Sequence, residues 1–325
     1  MSKFGLMKIN WVILVASIAF VLVGGTSTQA QLITTFGSGA NAFNIEFVEI
    51  GNPGNTADNN GSPNPAGSVG YVYNIGKYEI SRDMIIKANA AGSIGITLQD
   101  MTSFGGNGVN RPATGISWNE AARFVNYLNT SKGYQAAYNF TTTGANDNIT
   151  LWGAGQYSGS NQFRHKDAYY FLPSRDEWYK AAYGNPNGNW HLYANGSNAS
   201  PVGVASGTSG VVWNGQSGPA DITNAGVLSP YGTMAQNGNV YEWNESAPDG
   251  SNNSATENRE VRGGTWANTD GAASSRLTFL GPTADNINNW GFGFRVASVP
   301  EPSAVSLLVV GLGGVMAMRR RRGAV

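Results

Sequence analysis

Cysteine is missing from all 325 residues, and histidine occurs only twice, at His165 and His191. The first absence excludes disulfide staples and every form of thiol chemistry. The two together exclude a three-histidine metal site and a His/Cys zinc site. Charge is scarce too: Asp, Glu, Lys and Arg make up 12% of the chain, and the formal net charge is zero. Two lysines lie near the start and four arginines near the end, so the stretch between them is mildly acidic. Without a basic patch, nucleic-acid binding by counterion release is excluded. No apolar run reaches the roughly 20 residues of a comfortable membrane span. Glycine, at 44 residues, and asparagine are abundant instead, and they supply the positive backbone angles of turns. Nine Trp and fourteen Tyr argue against a disordered chain.

The ends follow recognisable physical patterns. Lys3 and Lys8 precede an apolar run from Trp11 to Gly24, and small residues lead to Ala30. This is the order of a secretory signal, with cleavage expected near Ala30; a retained anchor is the alternative. At the other end, Pro300-Glu301-Pro302 precedes an apolar stretch from Ala304 to Met318 and the block Arg319, Arg320, Arg321 and Arg322. Proline cannot continue a helix, and clustered arginines stay on the cytoplasmic side of a membrane. The order resembles the PEP-CTERM sorting signal of Gram-negative bacteria. That resemblance implies an exosortase-type processing protease as partner, transient membrane anchoring through residues 299–325, and an address in the cell envelope or extracellular matrix. A plain tail anchor would not require Pro-Glu-Pro.

Between the ends lie roughly 270 residues, enough for one large domain or two small ones. Residues 45–50 alternate as a strand, and residues 71–80 read as a second one. Ser81 caps a helix expected over 82–91, and two capping boxes, Ser117–Glu120 and Ser174–Glu177, open two more. Gly37-Ser38-Gly39-Ala40-Asn41-Ala42 fits a dinucleotide fingerprint only loosely, because a strand and not a helix follows it. Residues 140–163 and 184–220 are Gly/Asn/Ser-rich with few regular signals.

Six segments occur in order over residues 45–298: YNIGKYEIS, GISWNEAARFVNYLN, YFLPSRDEWYKAAY, NGNVYEW, VRGGTW and GFGFRVA. Together they resemble the sulfatase-modifying factor family, whose founding members are formylglycine-generating enzymes. The resemblance implies an α+β, irregular C-type-lectin-like domain with much coil, spanning residues 31–298. It also implies where the founding chemistry would sit. The catalytic cysteine positions fall on Asn268 and Ala273, which form no thiolate and bind no copper. A calcium site of the family maps onto Gly238, Val240 and Glu242, with Ala235 where a further oxygen ligand would stand.

The remaining chemistry is thin. Neither histidine sits in a nucleophile-elbow pattern, so both read as surface or packing residues. Glu242 and Glu245 are the one carboxylate pair to weigh for glycoside cleavage. The expected function is therefore a non-catalytic exported protein, a binding or structural module of the envelope or exopolysaccharide matrix, with glycans as partners. The alternative is an enzyme of the same superfamily with cysteine-independent chemistry, which requires a pocket of convergent titratable groups.

Overall fold

The computed structural model describes residues 31–141, 149–255, 257–269, 280–283 and 289–300. The expected signal segment and residues 301–325 lie outside the described residues. Among the described residues no helix is long and apolar enough to cross a membrane.

In chain order the elements are β1 (Gln31–Phe36), β2 (Phe43–Ile50), β3 (Tyr73–Gly76), α1 (Arg82–Gly92), α2 (Trp118–Ser131), β4 (Asn139–Phe140), β5 (Ile149–Thr150), β6 (Tyr157–Ser158), β7 (Asn161–His165), β8 (Tyr170–Phe171), α3 (Arg175–Tyr183), β9 (Tyr241–Trp243), β10 (Arg259–Arg262), β11 (Leu280–Thr283), β12 (Phe292–Gly293) and β13 (Ala297–Ser298). The main sheet runs β1-β2-β3-β13-β8, and a second sheet runs β11-β10-β9-β12. The last described strand, β13, lies between β3 and the edge strand β8, where Ala297 pairs with Ile75 on one side and Phe171 on the other. This is the expected α+β class, with three helices and much irregular chain among the described residues.

Local sequence explains the elements. In β2, Phe43, Ile45 and Phe47 alternate into the core. Ser81 accepts from the Met84 amide to start α1. In α2 and α3 the serine oxygen takes the glutamate amide, and the glutamate reaches back to the serine amide. The apolar side of α2, with Trp118, Phe124 and Leu128, packs on Phe43, Phe47 and Phe294 in one core. Burying each such ring stabilises the fold by about 1.5–3 kcal/mol.

One expectation needs correction. The strand expected over 71–80 stops at Gly76, because the Gly76 amide bonds to Val296 while the Ile80 amide reaches Phe294. The chain bends between them and turns Glu79 inward, where it is buried. As the alternation of residues 45–50 indicates, the Gly37–Ala42 stretch leads into a strand: it is an antiparallel connection between β1 and β2 containing one turn of 3-10 helix.

The long Asn-rich segments are held by side chains in place of a ladder. Asn185 Oδ1 accepts from the Asn187 and Asn189 amides, Asn198 from Leu192, and Asn237 from Ala194. Short carboxamides that bond nearby backbone are suited to such irregular chain.

Candidate functional site

Three groups of side chains compete for a functional role, and the tertiary structure separates them sharply. The first is built around Glu242 on β9. Arg295 follows β12 and forks onto it, Nε to Oε2 and Nη2 to Oε1, both at 2.5 Å. Trp178 Nε1 donates to Oε2 at 2.7 Å. The remaining guanidinium protons go to the carbonyls of Gly76, Lys77 and Met234. All five donors of Arg295 are therefore matched, and both members of the pair are fully buried. Glu79 stands beside them and accepts from Asn239 Nδ2 and the Val240 amide. Burial first, and the neighbouring Glu242 second, hold its carboxyl well above the usual carboxylate range.

This arrangement does not fit the calcium expected at Gly238, Val240 and Glu242. The carboxylate that would supply the charge is already neutralised by a guanidinium and capped by an indole N–H, and a cation would have to approach against Arg295. Ala235 is buried and offers no side-chain oxygen. Among the described residues no cluster of three acidic or histidine side chains is placed to hold a metal.

The second group lines a groove of about 590 Å³ between β7, the N-terminus of α3 and the loop after β9. Glu245 forms part of its underlying support: Oε1 accepts from Tyr138 at 2.8 Å, and Oε2 accepts from Asn161 and from Arg164 Nη2 at 3.0 Å. Arg164 lies over the Phe171 ring at 3.9 Å. Tyr71, half exposed, donates to Glu177 Oε1 at 2.7 Å. Desolvation, only partly offset by Arg164, raises the Glu245 carboxyl. Burial and the Glu177 charge push the Tyr71 phenol far up. Glu242 and Glu245 thus belong to two separate bonding networks and form no catalytic pair.

The third group is an aromatic shelf. Phe104 and Trp290 stack at 5.1 Å with planes 14° apart, and the buried Trp266 meets Trp290 at 5.1 Å. Trp290 keeps 38% of its surface exposed. Asn268 closes the adjoining turn, its Oδ1 accepting from the Thr265 amide and hydroxyl. Its carboxamide oxygen is therefore committed to structure. Ala273 lies outside the described residues. So do Glu301, Pro302 and Arg319–Arg322, while Pro300 closes the described chain.

The histidines act as packing and turn residues. His165 meets the Trp152 ring edge-on at 4.7 Å, and its Nδ1 accepts from the Asp167 amide. His191 pairs with Asn185.

Residues 46–299 match the family model described as the sulfatase-modifying factor enzyme 1-like domain. The chain belongs to the sulfatase-modifying factor family. Solved structures agree on the fold. Treponema denticola variable protein 1 is 17% identical, with a TM-score of 0.58, over 84% of this chain and 100% of the other. CarF is 17% identical at 0.55, over 79% and 99%, and PvdO from Pseudomonas aeruginosa 14% identical at 0.51, over 82% and 98%. No curated protein matches the sequence significantly. Within the family frame, the glycine-rich signature segments serve close packing. A side chain at Gly263, with φ of 103°, would press on the buried Trp178 ring at 3.3 Å.

Sequence reasoning missed Glu79, Arg295, Glu177 and Arg164 as site-forming residues. The signal available was the unusual placement of charge inside apolar segments: Glu79 before Ile80, and Arg295 between Phe294 and Val296. A charge buried in such surroundings requires a partner.

Proposed function

We propose that this protein is a non-catalytic binding module of the sulfatase-modifying factor family, exported and working in the cell envelope or exopolysaccharide matrix. The observation that carries the reading is the pairing of a committed Asn268 with the exposed Phe104–Trp290 shelf beside it. Where the founding chemistry needs a reactive sulfur, this chain offers a fixed turn and an aromatic surface. Aromatic faces with a polar border suit recognition of sugar rings or flat organic groups. The sequence order at both ends supports export, exosortase-type processing and transient anchoring. The neutral overall charge supports a partner other than nucleic acid.

The test is a glycan-array screen of the purified protein beside its Trp290→Ala variant, paired with an assay for formylglycine in a sulfatase-motif cysteine peptide supplied with copper and oxygen. Loss of glycan capture in the variant and no formylglycine support the reading. Copper-dependent formylglycine with the unmodified protein overturns it.

An enzyme with cysteine-independent chemistry is the second reading, and the groove favours it, since burial raises both the Tyr71 phenol at its edge and the Glu245 carboxyl beneath it. Against it, each shifted group is tied to a protein partner at 2.8 Å or less. Such groups hold a scaffold in place and are not poised to exchange protons with a substrate.

A further inference from the structure

The groove beside α3 has the attributes of a recognition site in its own right. Three features of its lining act together. Tyr71 presents a half-exposed ring whose hydroxyl is pinned by Glu177 at 2.7 Å. Planar polar groups face the groove in fixed positions: Asn161 and Asn252 bond to each other at 3.1 Å, and Arg164 is clamped by Glu245 and Phe171. Arg175 donates through Nη1 to Glu260 at 3.0 Å, yet its buried Nε has no hydrogen-bond partner among the described residues. A buried donor left unpaired is costly, so the Arg175 side chain keeps unspent hydrogen-bonding capacity at the edge of the groove.

Charge selects the class of ligand. Arg164 is balanced by Glu245 and lies 3.7 Å from Glu177, while Glu260 is shared between Arg175 and the buried Arg262, so three guanidinium groups meet three carboxylates. Neither Arg164 nor Arg175 is left as an excess cation for an anion. Besides Lys166 and Asp176, whose formal charges offset, what remains available is the Tyr71 face and the hydroxyls of Ser158, Ser160 and Ser246. That combination matches a neutral sugar chain, whose C–H face stacks on an aromatic ring while its hydroxyls meet planar donors and acceptors. The open shape of about 590 Å³ accommodates a few sugar units.

We propose that this groove binds a neutral oligosaccharide, with Tyr71 as the stacking face and Arg175 as the donor, at a site distinct from the Trp290 shelf. The proposal names a second surface for the binding function above and does not depend on the first.

The experiment is an equilibrium titration of the purified full chain with neutral hexasaccharides of glucose, mannose and galactose, and with a uronic-acid hexasaccharide of equal length. At least one neutral probe is expected to bind. Tyr71→Ala should weaken it about tenfold and Tyr71→Phe much less, since the ring carries the contact. Arg175→Lys should weaken it several-fold, with the melting temperature of each variant recorded to separate binding from folding. Ile86→Ala, at an exposed position of α1 outside both surfaces, should leave this affinity unchanged. Absence of binding by every neutral probe, tighter binding of the uronic-acid probe than of any neutral one, or loss with Trp290→Ala and not with Tyr71→Ala each overturns the proposal.

Discussion

Two parts of this molecule use the same ingredients to opposite effect. Around Arg295, two glutamates, an indole and backbone carbonyls close upon a single guanidinium with no solvent left. Around Arg164, two glutamates, two tyrosines and an asparagine gather on another, but the assembly borders an open groove and Arg164 keeps 18% of its side chain exposed. The first is a fastening between the sheets: Arg295 joins the β9 carboxylate to the chain after β3. The second is a support under a surface. Burial of charge is therefore no indication of function in this fold; what distinguishes the clusters is whether a ligand can reach one edge.

The comparison can be broken most directly by removing each arginine. Arg295→Met strands Glu242 and frees three carbonyls in a sealed site, so a loss of about 3–5 kcal/mol in chemical denaturation is expected. Arg164→Met should lose less, about 1–3 kcal/mol, because water can enter from the groove. Equal losses would show that the two clusters are energetically alike.

A smaller effect sharpens the contrast through pH. Glu79 is held above its ordinary value near 4.5 in the folded protein, so folding takes up a proton there. Its contribution is present in full below that value and is lost as pH rises above it. Stability of the wild type should therefore fall over this window, and Glu79→Gln should flatten the slope in thermal melts recorded at a series of pH values. Glu245 and Glu260 are raised in the same direction, mainly by burial, so part of the slope should remain. An unchanged slope would mean that Glu79 ionises normally.

The smallest expected effect concerns calcium. With Glu242 committed to Arg295, millimolar calcium should leave the melting temperature unchanged. A rise that Glu242→Gln removes would mean that the carboxylate turns from the guanidinium to an ion, since only a ligand selective for the folded state shifts the transition in this way.

Much of the fold is legible in the sequence. The two capping boxes announced α2 and α3 because their bonds are local, spanning three residues in each case. The alternation of β2 was equally plain. The six ordered segments carried the family, and composition showed that the chain has no thiol. The end of β3 was misjudged because a contact with Val296, more than two hundred residues away, decides where the strand stops.

Composition and local pattern alone determined that this chain has no thiol chemistry and no excess charge, and where its helices begin; each follows from residue type or from neighbours a few positions apart. Only the tertiary structure decided that Glu242 faces Arg295, that Glu245 belongs to a different cluster, and that Trp290 and Tyr71 mark two separate surfaces. Those outcomes depend on partners brought together by sheet pairing across the whole chain. In a low-dielectric interior, the partner that arrives decides what a buried charge can do.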